Sequence, residues 1–136
     1  MKYELRDCLG LRLGRLSRKV DGIYRKYLEG ADITERQLTI IFTLSLTGKI
    51  EQIELGRILN LERSSLSRNL QRLINQGFIM KEGAVNRPMI SLTKKGLKKV
   101  KSVLPAWELA MDEIHCLLNE KSLAGFSNFE SKLLEI

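Results

Sequence analysis

Residues 61–77 place arginines, hydroxyls and amides at spacings that suit contact with a polyanion. Drawn as a helix at about 100° per residue, this stretch gathers its apolar side chains, Leu66, Leu70, Leu73 and Ile74, into one sector. The opposite side has no acid after Glu62 and presents Ser64, Arg68, Gln71, Arg72 and Asn75, with Ser65 at its edge. Such groups bond to phosphate oxygens and to base edges in a major groove. The stretch therefore predicts a DNA-recognition helix.

The segments before this stretch predict the helices that would position it. Thr34 and Gln37 have the spacing of a capping box, so a helix should start there and run to Gly48. Ile50 and Glu51 then open a second short helix that ends at Asn60. Two short helices followed by one with a polar face are typical of a helix-turn-helix.

The segment after Gly77 predicts a β-hairpin. Two β-like runs, 78–82 and 88–92, flank a short tip that carries Asn86 and Arg87. A basic tip beside a recognition helix suits insertion into the narrow, negative minor groove. The alternative is that Arg87 is only a solvated loop arginine.

Long helices are predicted at both ends of the chain. Apolar residues recur every three or four positions over residues 3–29, and again from Thr93, a capping residue, to residue 118; Asn119 caps a last helix. The continuous apolar stripe of the first helix exceeds what a small domain needs, so it requires a partner, either a second copy or the far end of the chain. Four lysines at 94, 95, 98 and 99 crowd one helix start, where they oppose the helix dipole. We therefore expect them to be solvated or near phosphate.

Charge and composition agree with a nucleic-acid partner and limit the other classes. The net charge is +7, and residues 31–100 alone hold 12 Lys/Arg against 6 Asp/Glu, whereas residues 101–136 hold 3 against 6. No apolar run approaches the roughly 20 residues of a membrane span, and no secretion signal is indicated. Cys8 and Cys116 are far apart, without a metal-ligand spacing, which suits a reducing cytoplasm.

An enzyme is the first alternative class, and the chain lacks the residues for it. No glycine-rich phosphate loop or metal-ligand spacing occurs, and no base accompanies the serines at 64, 65 and 67. His115 is the only histidine, so one chain cannot build a histidine pair; we expect it to be solvated or to cap a helix. No catalytic residue, cofactor or metal is therefore predicted.

The motifs taken together resemble the MarR-type winged-helix transcriptional regulators. The resemblance rests on Leu55, the run 61–68 (LERSSLSR), Leu73, Gly77-Phe78-Ile79 and 90–96 (ISLTKKG), and the long terminal helices and Pro105-Ala106-Trp107 also fit. It implies a mainly α (α+β) winged-helix fold in one domain, 1–136. Residues 33–96 would form the winged helix-turn-helix, and residues 1–30 and 97–136 the dimerisation helices.

The resemblance also implies a function and a set of contacts. It implies a homodimer that binds a pseudo-palindromic operator, as a repressor, with recognition helices about 34 Å apart. By family likeness, major-groove contacts come from Arg63, Ser64, Ser65, Ser67 and Arg68, and Arg87 stands at the place of the wing arginine. The wing departs from the family pattern, because it is short and lacks the aspartate that often braces that arginine. Ser65 for threonine and Gly56 for alanine are milder departures.

Family members often release DNA when a phenolic or other amphipathic effector binds. Arg12, Tyr24 and Trp107 suit such a ligand by side-chain type only, and the alternative is that they pack a dimer interface. Peroxide-sensing relatives use a cysteine on the N-terminal helix, so a redox role for Cys8 is an alternative to a buried structural cysteine; Cys116 is expected in the core. A further alternative is a winged-helix module that binds protein rather than DNA, against which the arginines at 63, 68, 72 and 87 speak.

Overall fold

The computed structural model describes residues 1–136, which form six α-helices and a three-stranded antiparallel sheet. The helices are α1 (Leu9–Leu28), α2 (Glu35–Thr47), α3 (Gln52–Leu59), α4 (Arg63–Asn75), α5 (Lys94–Cys116) and α6 (Glu120–Leu134). The strands are β1 (Ile50–Glu51), β2 (Ile79–Ala84) and β3 (Arg87–Leu92). Two compact units result: a winged-helix unit, residues 28–105, and a helical unit, residues 1–27 and 106–136.

The winged-helix unit has a closed apolar core. Its largest fully buried side chains come from α2, α3, α4 and β3; they are Leu38, Ile40, Ile41, Leu44, Leu55, Leu70, Leu73 and Ile90. The capping box predicted for α2 is present, because the Thr34 hydroxyl accepts from the Gln37 backbone N–H and the Gln37 side chain accepts from the Thr34 N–H, both at 3.2 Å. In α4, Leu66, Leu70 and Leu73 are buried as predicted, whereas Ile74 is half-buried.

The sheet corrects one prediction. Ile50 and Glu51 do not open a helix; they form β1, which pairs antiparallel with Ile90 and Met89 of β3. The sheet order is therefore β1-β3-β2, and α3 begins only at Gln52. The prediction was wrong because two extended residues carry no periodicity of their own, and their partner lies about forty positions further along the chain.

The junction between α4 and the hairpin explains the glycines of the motif. The Gly77 N–H donates to the Ile74 carbonyl and the Phe78 N–H to the Leu73 carbonyl, which is a Schellman ending with Gly77 at φ +80°. Thr93 then caps α5, since its hydroxyl accepts from the Gly96 N–H at 3.0 Å. A Cβ on Gly96 would lie 1.9 Å from the Phe78 carbonyl oxygen, so only glycine fits there.

The four clustered lysines were expected to be solvated or near phosphate. Three of them are exposed, Lys99 is half-buried, and Lys95 and Lys99 also bond to the fold. The Lys95 ammonium donates to the Gln76 carbonyl at 2.7 Å, at the end of α4, and the Lys99 ammonium donates to the Ala31 carbonyl. Both ammonium groups also lie over the Phe78 ring, at 5.2 and 5.5 Å from its centroid. Both lysines lie near the positive end of the α5 dipole, which disfavours their charge. Lys95 also contacts the C-terminal end of α4, where the helix dipole is negative.

The helical unit is open by comparison. The predicted helix over residues 3–29 is divided into a 3-10 turn, Leu5–Asp7, and α1, which begins at Leu9. Only Ile23 and Ala110 among the buried apolar residues belong to this unit, and α6 has no buried residue at all. Cys116 is exposed, so its assignment to the core was wrong, because α5 ends in solvent there. No helix in the chain is both long enough and apolar enough to cross a bilayer.

Candidate nucleic-acid interface

The turn before α4 sets the angle at which that helix leaves α3. Asn60 adopts the left-handed conformation at φ +50°, which asparagine tolerates better than most residues, and the Leu61 N–H returns to the Gly56 carbonyl. A Cβ on Gly56 would lie 3.2 Å from Leu66, so glycine in place of the family's alanine permits a close approach of α3 to α4. Glu62 precedes α4 and places its negative charge near the positive end of the helix dipole.

The predicted polar side of α4 is exposed along its length. Six of the seven predicted α4 contacts are exposed, namely Arg63, Ser64, Ser67, Arg68, Gln71 and Arg72, whereas Ser65 is half-buried. Because Arg68 and Arg72 are one turn apart, their side chains emerge from the same face. The helix thus presents a cationic, hydrogen-bonding ridge to solvent while Leu66, Leu70 and Leu73 anchor it to the core.

The arginines of this ridge carry charges that no acid of the chain neutralises. Other arginines and lysines of the unit do have acidic partners: Arg57 pairs with Glu54, and Lys49 pairs with Glu82. In contrast, Arg63, Arg68 and Arg72 make no ion pair or hydrogen bond within the chain. Unpaired guanidinium groups on a rigid helix are the donors that phosphates and guanine edges bind most strongly.

Neighbouring side chains hold several of the polar groups in place. The Gln52 amide donates to the Ser67 hydroxyl at 3.4 Å, which connects the start of α3 with the exposed face of α4. The Gln71 amide donates to the Asn75 carbonyl oxygen at 2.9 Å, and Asn69 donates to the Ser65 backbone carbonyl at 3.0 Å. These bonds restrict rotamers before any partner arrives, which lowers the entropic cost of binding.

The hairpin tip carries Asn86 and Arg87, both exposed as predicted, next to a fully exposed Val85. The strands reach closer to the tip than predicted, because Ala84 pairs with Arg87 and only two residues form the turn. The Arg87 guanidinium donates to the Glu51 carboxylate at 2.6 Å. Since Glu51 pairs with Met89, two residues along the strand from Arg87, both side chains lie on the same face of the sheet.

Glu51 is the residue that the sequence analysis missed. The wing lacks the family's aspartate, but β1 supplies a carboxylate to the wing arginine from a different part of the chain. Lys49, on the same side of β1, pairs with Glu82 of β2, so two ion pairs tie the hairpin to the rest of the sheet. Alternation of Lys49, Ile50 and Glu51 as charged, apolar and charged was the one local signal of a strand there.

The residues suggested for an effector or a redox role lie in the helical unit. Arg12 is exposed on α1, whereas Tyr24 and Trp107 are half-buried. The Tyr24 hydroxyl donates to the Met111 sulfur at 3.1 Å. Cys8 and Cys116 are free and exposed, and His115 is exposed, as predicted. No cluster of three or more His, Cys, Asp or Glu residues has the arrangement of a metal site.

Comparison with known proteins shows which proteins the winged-helix unit resembles. A family model, the MarR family, matches residues 33–86, which run from the start of α2 to the wing tip. Residues 33–86 form a MarR-family domain. Among curated relatives, an uncharacterised HTH-type transcriptional regulator of Bacillus cereus is 26% identical over 95 residues, which cover 70% of this chain and 65% of that protein. The multiple antibiotic resistance protein MarR of Salmonella typhimurium is 31% identical over 71 residues, 52% of this chain and 49% of that protein.

Solved structures of the MarR type share the fold along almost the whole chain, whereas the matches to the curated relatives span about half to two thirds of those proteins. A mutant MarR from E. coli in complex with operator DNA superimposes with a TM-score of 0.80, at 22% identity, over 93% of both chains. BpsR of Bordetella bronchiseptica superimposes with a TM-score of 0.86, at 15% identity, over 98% of both chains. The predicted mainly α winged-helix fold is confirmed.

Proposed function

We propose that this MarR-type chain is a transcriptional regulator that binds operator DNA through α4 in the major groove and through the wing in the minor groove. The observation that carries the proposal is the ridge of three unpaired arginines on α4, a helix that itself contains no acid. The E. coli protein with the same fold was crystallised in complex with operator DNA, and the Bacillus cereus relative is named an HTH-type transcriptional regulator. Such a regulator would act in the cytoplasm, where the DNA is.

The assembly proposed is a homodimer on a pseudo-palindromic site. The helical unit leaves large apolar side chains in water, among them Leu16 at 60%, Leu117 at 64% and Phe126 at 58% exposed. A second copy is the partner that can cover them with the same residues on both sides of a twofold axis. Two recognition helices would then meet one face of the duplex about 34 Å apart, one helical turn.

Repression relieved by a small molecule is the regulatory mode that we propose. DNA binding by BpsR, which shares the fold, is regulated by 6-hydroxynicotinic acid. A dimer that occupies two successive major grooves would exclude other proteins from the same DNA, which supports repression rather than activation as the proposal.

The decisive experiment begins with an operator selected from random duplex DNA with the purified protein. On that operator Arg68→Ala should lose about 10- to 100-fold in affinity, since a bidentate arginine contact is worth about 1–3 kcal/mol. Arg57→Ala is the matched control, because Arg57 is exposed but paired with Glu54 away from the ridge. Equal losses in both variants, or no selected sequence at all, would contradict the assignment of α4.

Salt dependence separates base contacts from phosphate contacts in the same assay. If Arg72 contacts a phosphate, Arg72→Ala should weaken binding on every sequence and reduce the slope of log K against log salt by about one unit. If Arg68 reads a base, Arg68→Ala should instead relax the sequence preference at one position of each half-site. A winged helix that binds only protein would show neither change.

A further inference from the structure

The Ser67 hydroxyl, on the exposed side of α4, has a proton that the fold does not use. Serine and threonine hydroxyls inside a helix often donate to the carbonyl three or four residues earlier. Hydroxyls at positions 39, 43, 45, 102 and 131 of this chain do so. Ser67 makes no such bond, and its one hydrogen bond within the chain is accepted from Gln52. The proton is therefore available to a partner outside the chain.

Gln52, the first residue of α3, faces this hydroxyl from the neighbouring helix. Its side-chain nitrogen donates to the Ser67 oxygen in a long hydrogen bond of 3.4 Å, whereas its side-chain oxygen is buried and has no partner. The opposite orientation of the amide would bury an NH₂ group without an acceptor, and orphaned N–H groups are rarer in folded proteins than under-satisfied carbonyl oxygens. The fold therefore favours the orientation in which Gln52 donates to Ser67.

This contact determines which way the Ser67 hydroxyl points. A hydroxyl has one proton and two lone pairs, and the Gln52 nitrogen occupies a lone pair on the side that faces α3. The proton is therefore directed away from that donor, toward the exposed side of α4. Phosphate oxygens accept such a proton, as do the major-groove acceptors of guanine, adenine and thymine, whereas cytosine presents only a donor there.

The Gln52 side chain is not the one that stability alone would favour at this position. A buried oxygen without a partner costs free energy, and a methionine of similar length would fill the same space without that cost. Gln76 also has a buried oxygen without a partner, but its amide donates to the backbone carbonyl of Asp32. Gln52 differs because its bond goes to a side chain on the proposed DNA-binding face.

We propose that Gln52 is a positioning residue for operator binding, which holds the Ser67 hydroxyl as a donor to a hydrogen-bond acceptor on DNA. The proposal rests on the DNA-binding function proposed for α4. Gln52 acts through Ser67, because it restricts the serine rotamer and orients the proton before DNA arrives, which lowers the entropic cost of the contact. Phosphate oxygens and base edges share the acceptor chemistry that this proton recognises.

The first test needs no DNA. In the free protein, NMR scalar couplings of Ser67 should report one dominant χ1 rotamer, and Gln52→Met should convert it to an average over rotamers. Gln76→Met is the matched control, because it removes a similar glutamine that does not contact Ser67, and it should leave the Ser67 rotamer unchanged. Rotamer averaging in the wild type, or an unchanged rotamer in Gln52→Met, would overturn the proposal whether or not the protein binds an operator.

Operator affinity tests the same contact through a double-mutant cycle. Ser67→Ala should weaken binding about three- to tenfold, the range for one neutral hydrogen bond, and Gln52→Met about threefold. In the Ser67→Ala background, Gln52→Met should have no further effect, because Gln52 acts only through the hydroxyl. Ser67→Thr, which keeps a hydroxyl, should keep the dependence on Gln52. Additive losses from the two changes would disprove positioning.

Stability separates positioning from a purely structural role. Because Gln52→Met removes an unpaired buried oxygen, chemical denaturation should show a stability equal to or above that of the wild type, although operator affinity falls. A variant that loses stability and affinity together would assign Gln52 a structural role and contradict the proposal.

Sequence selection distinguishes the two sources of the acceptor. If Ser67 donates to a base edge, Ser67→Ala and Gln52→Met should relax the preference at the same single position of each half-site. If it donates to a phosphate, each variant should weaken binding by the same factor on every sequence. Relaxed preference at different positions would rule out a shared contact. If no operator is selected at all, the proposed function fails, and the rotamer measurement still decides whether Gln52 holds Ser67.

Discussion

The two units of this chain differ in how much of their apolar surface is buried within one copy of the chain. In the winged-helix unit, α2, α3, α4 and β3 bury their leucines and isoleucines against one another. In the helical unit, large apolar side chains remain exposed on α1, α5 and α6, and only Ile23 and Ala110 are buried. The first unit is complete as a single copy. The second has the surface of an interface, so stability and assembly are expected to depend on different parts of the chain.

The largest effect should come from placing charges on exposed apolar positions of the helical unit. Leu117→Lys together with Phe126→Lys should convert the dimer to a monomer, measured by light scattering, and lower operator affinity about 100-fold or more, since each half-site would then bind separately. Leu46→Lys is the control, because Leu46 is 88% exposed in the winged-helix unit and should change neither property. A wild-type protein that is monomeric at micromolar concentration would contradict the proposal that the exposed apolar residues of the helical unit form a dimer interface.

Glycine substitutions test the same contrast through stability. Gly96→Ala should cost about 3 kcal/mol of unfolding free energy, the upper part of the range for overpacking, because its Cβ would overlap the Phe78 carbonyl. Gly125→Ala in α6 has open space around it and should gain up to about 1 kcal/mol from helix propensity. Chemical denaturation measures both. If Gly125→Ala destabilises instead, a second copy packs closely against α6, which would locate the interface.

The wing provides a smaller effect within the closed unit. Glu51→Gln removes the charge that holds Arg87, so the arginine must be ordered on binding; we expect about a threefold loss of operator affinity, within the cost of immobilising one side chain. In a double-mutant cycle the loss should vanish when Arg87 is already alanine. Tighter binding by Glu51→Gln would show that Glu51 withholds Arg87 from DNA rather than positioning it.

The smallest effect concerns a half-exposed ion pair in the helical unit. The Lys26 ammonium bonds to Glu113 and lowers the pKa of that carboxyl from its usual value of 4.5, and the Tyr27 hydroxyl donates to it at 3.2 Å. Because the folded-state pKa is lowered, the pair stabilises the fold above pH 4.5, and the contribution is lost as the pH falls through the lowered pKa. Thermal unfolding of Glu113→Gln should therefore depend less on pH below 4.5 than that of the wild type. Glu108→Gln, on the same helix, should behave like the wild type.

The predictions that held were those encoded by neighbours in sequence. The period of Leu66, Leu70 and Leu73 placed the polar side of α4 correctly, and the Thr34–Gln37 capping box and the Asn119 cap were found where predicted. Each depends on residues within about one or two helical turns, where local geometry leaves little choice. The roles proposed for the α4 residues, for the wing and for Arg12, Tyr24 and Trp107 stay predictions.

The predictions that failed concerned partners far away in sequence. Nothing in the sequence near Ile50 indicates that it pairs with Ile90, and nothing near Lys99 indicates that it is half-buried with its ammonium bonded to the carbonyl of Ala31. Cys116 follows the apolar stripe of α5 yet lies at an open end of the helix. An apolar stripe in the sequence shows that one face of a helix is apolar. Whether other elements of the same chain cover that face depends on how the helices and strands pack.

By itself, the sequence determined the sidedness of α4, the ends of α2, α4 and α6, and the glycines of the family motif, because short-range periodicity and backbone sterics decide these features. The tertiary structure decided which charges stay unpaired. Arg57 meets Glu54 within one turn of its own helix, whereas only the fold brings Glu51 to Arg87, 36 positions away, and leaves Arg63, Arg68 and Arg72 without an acid.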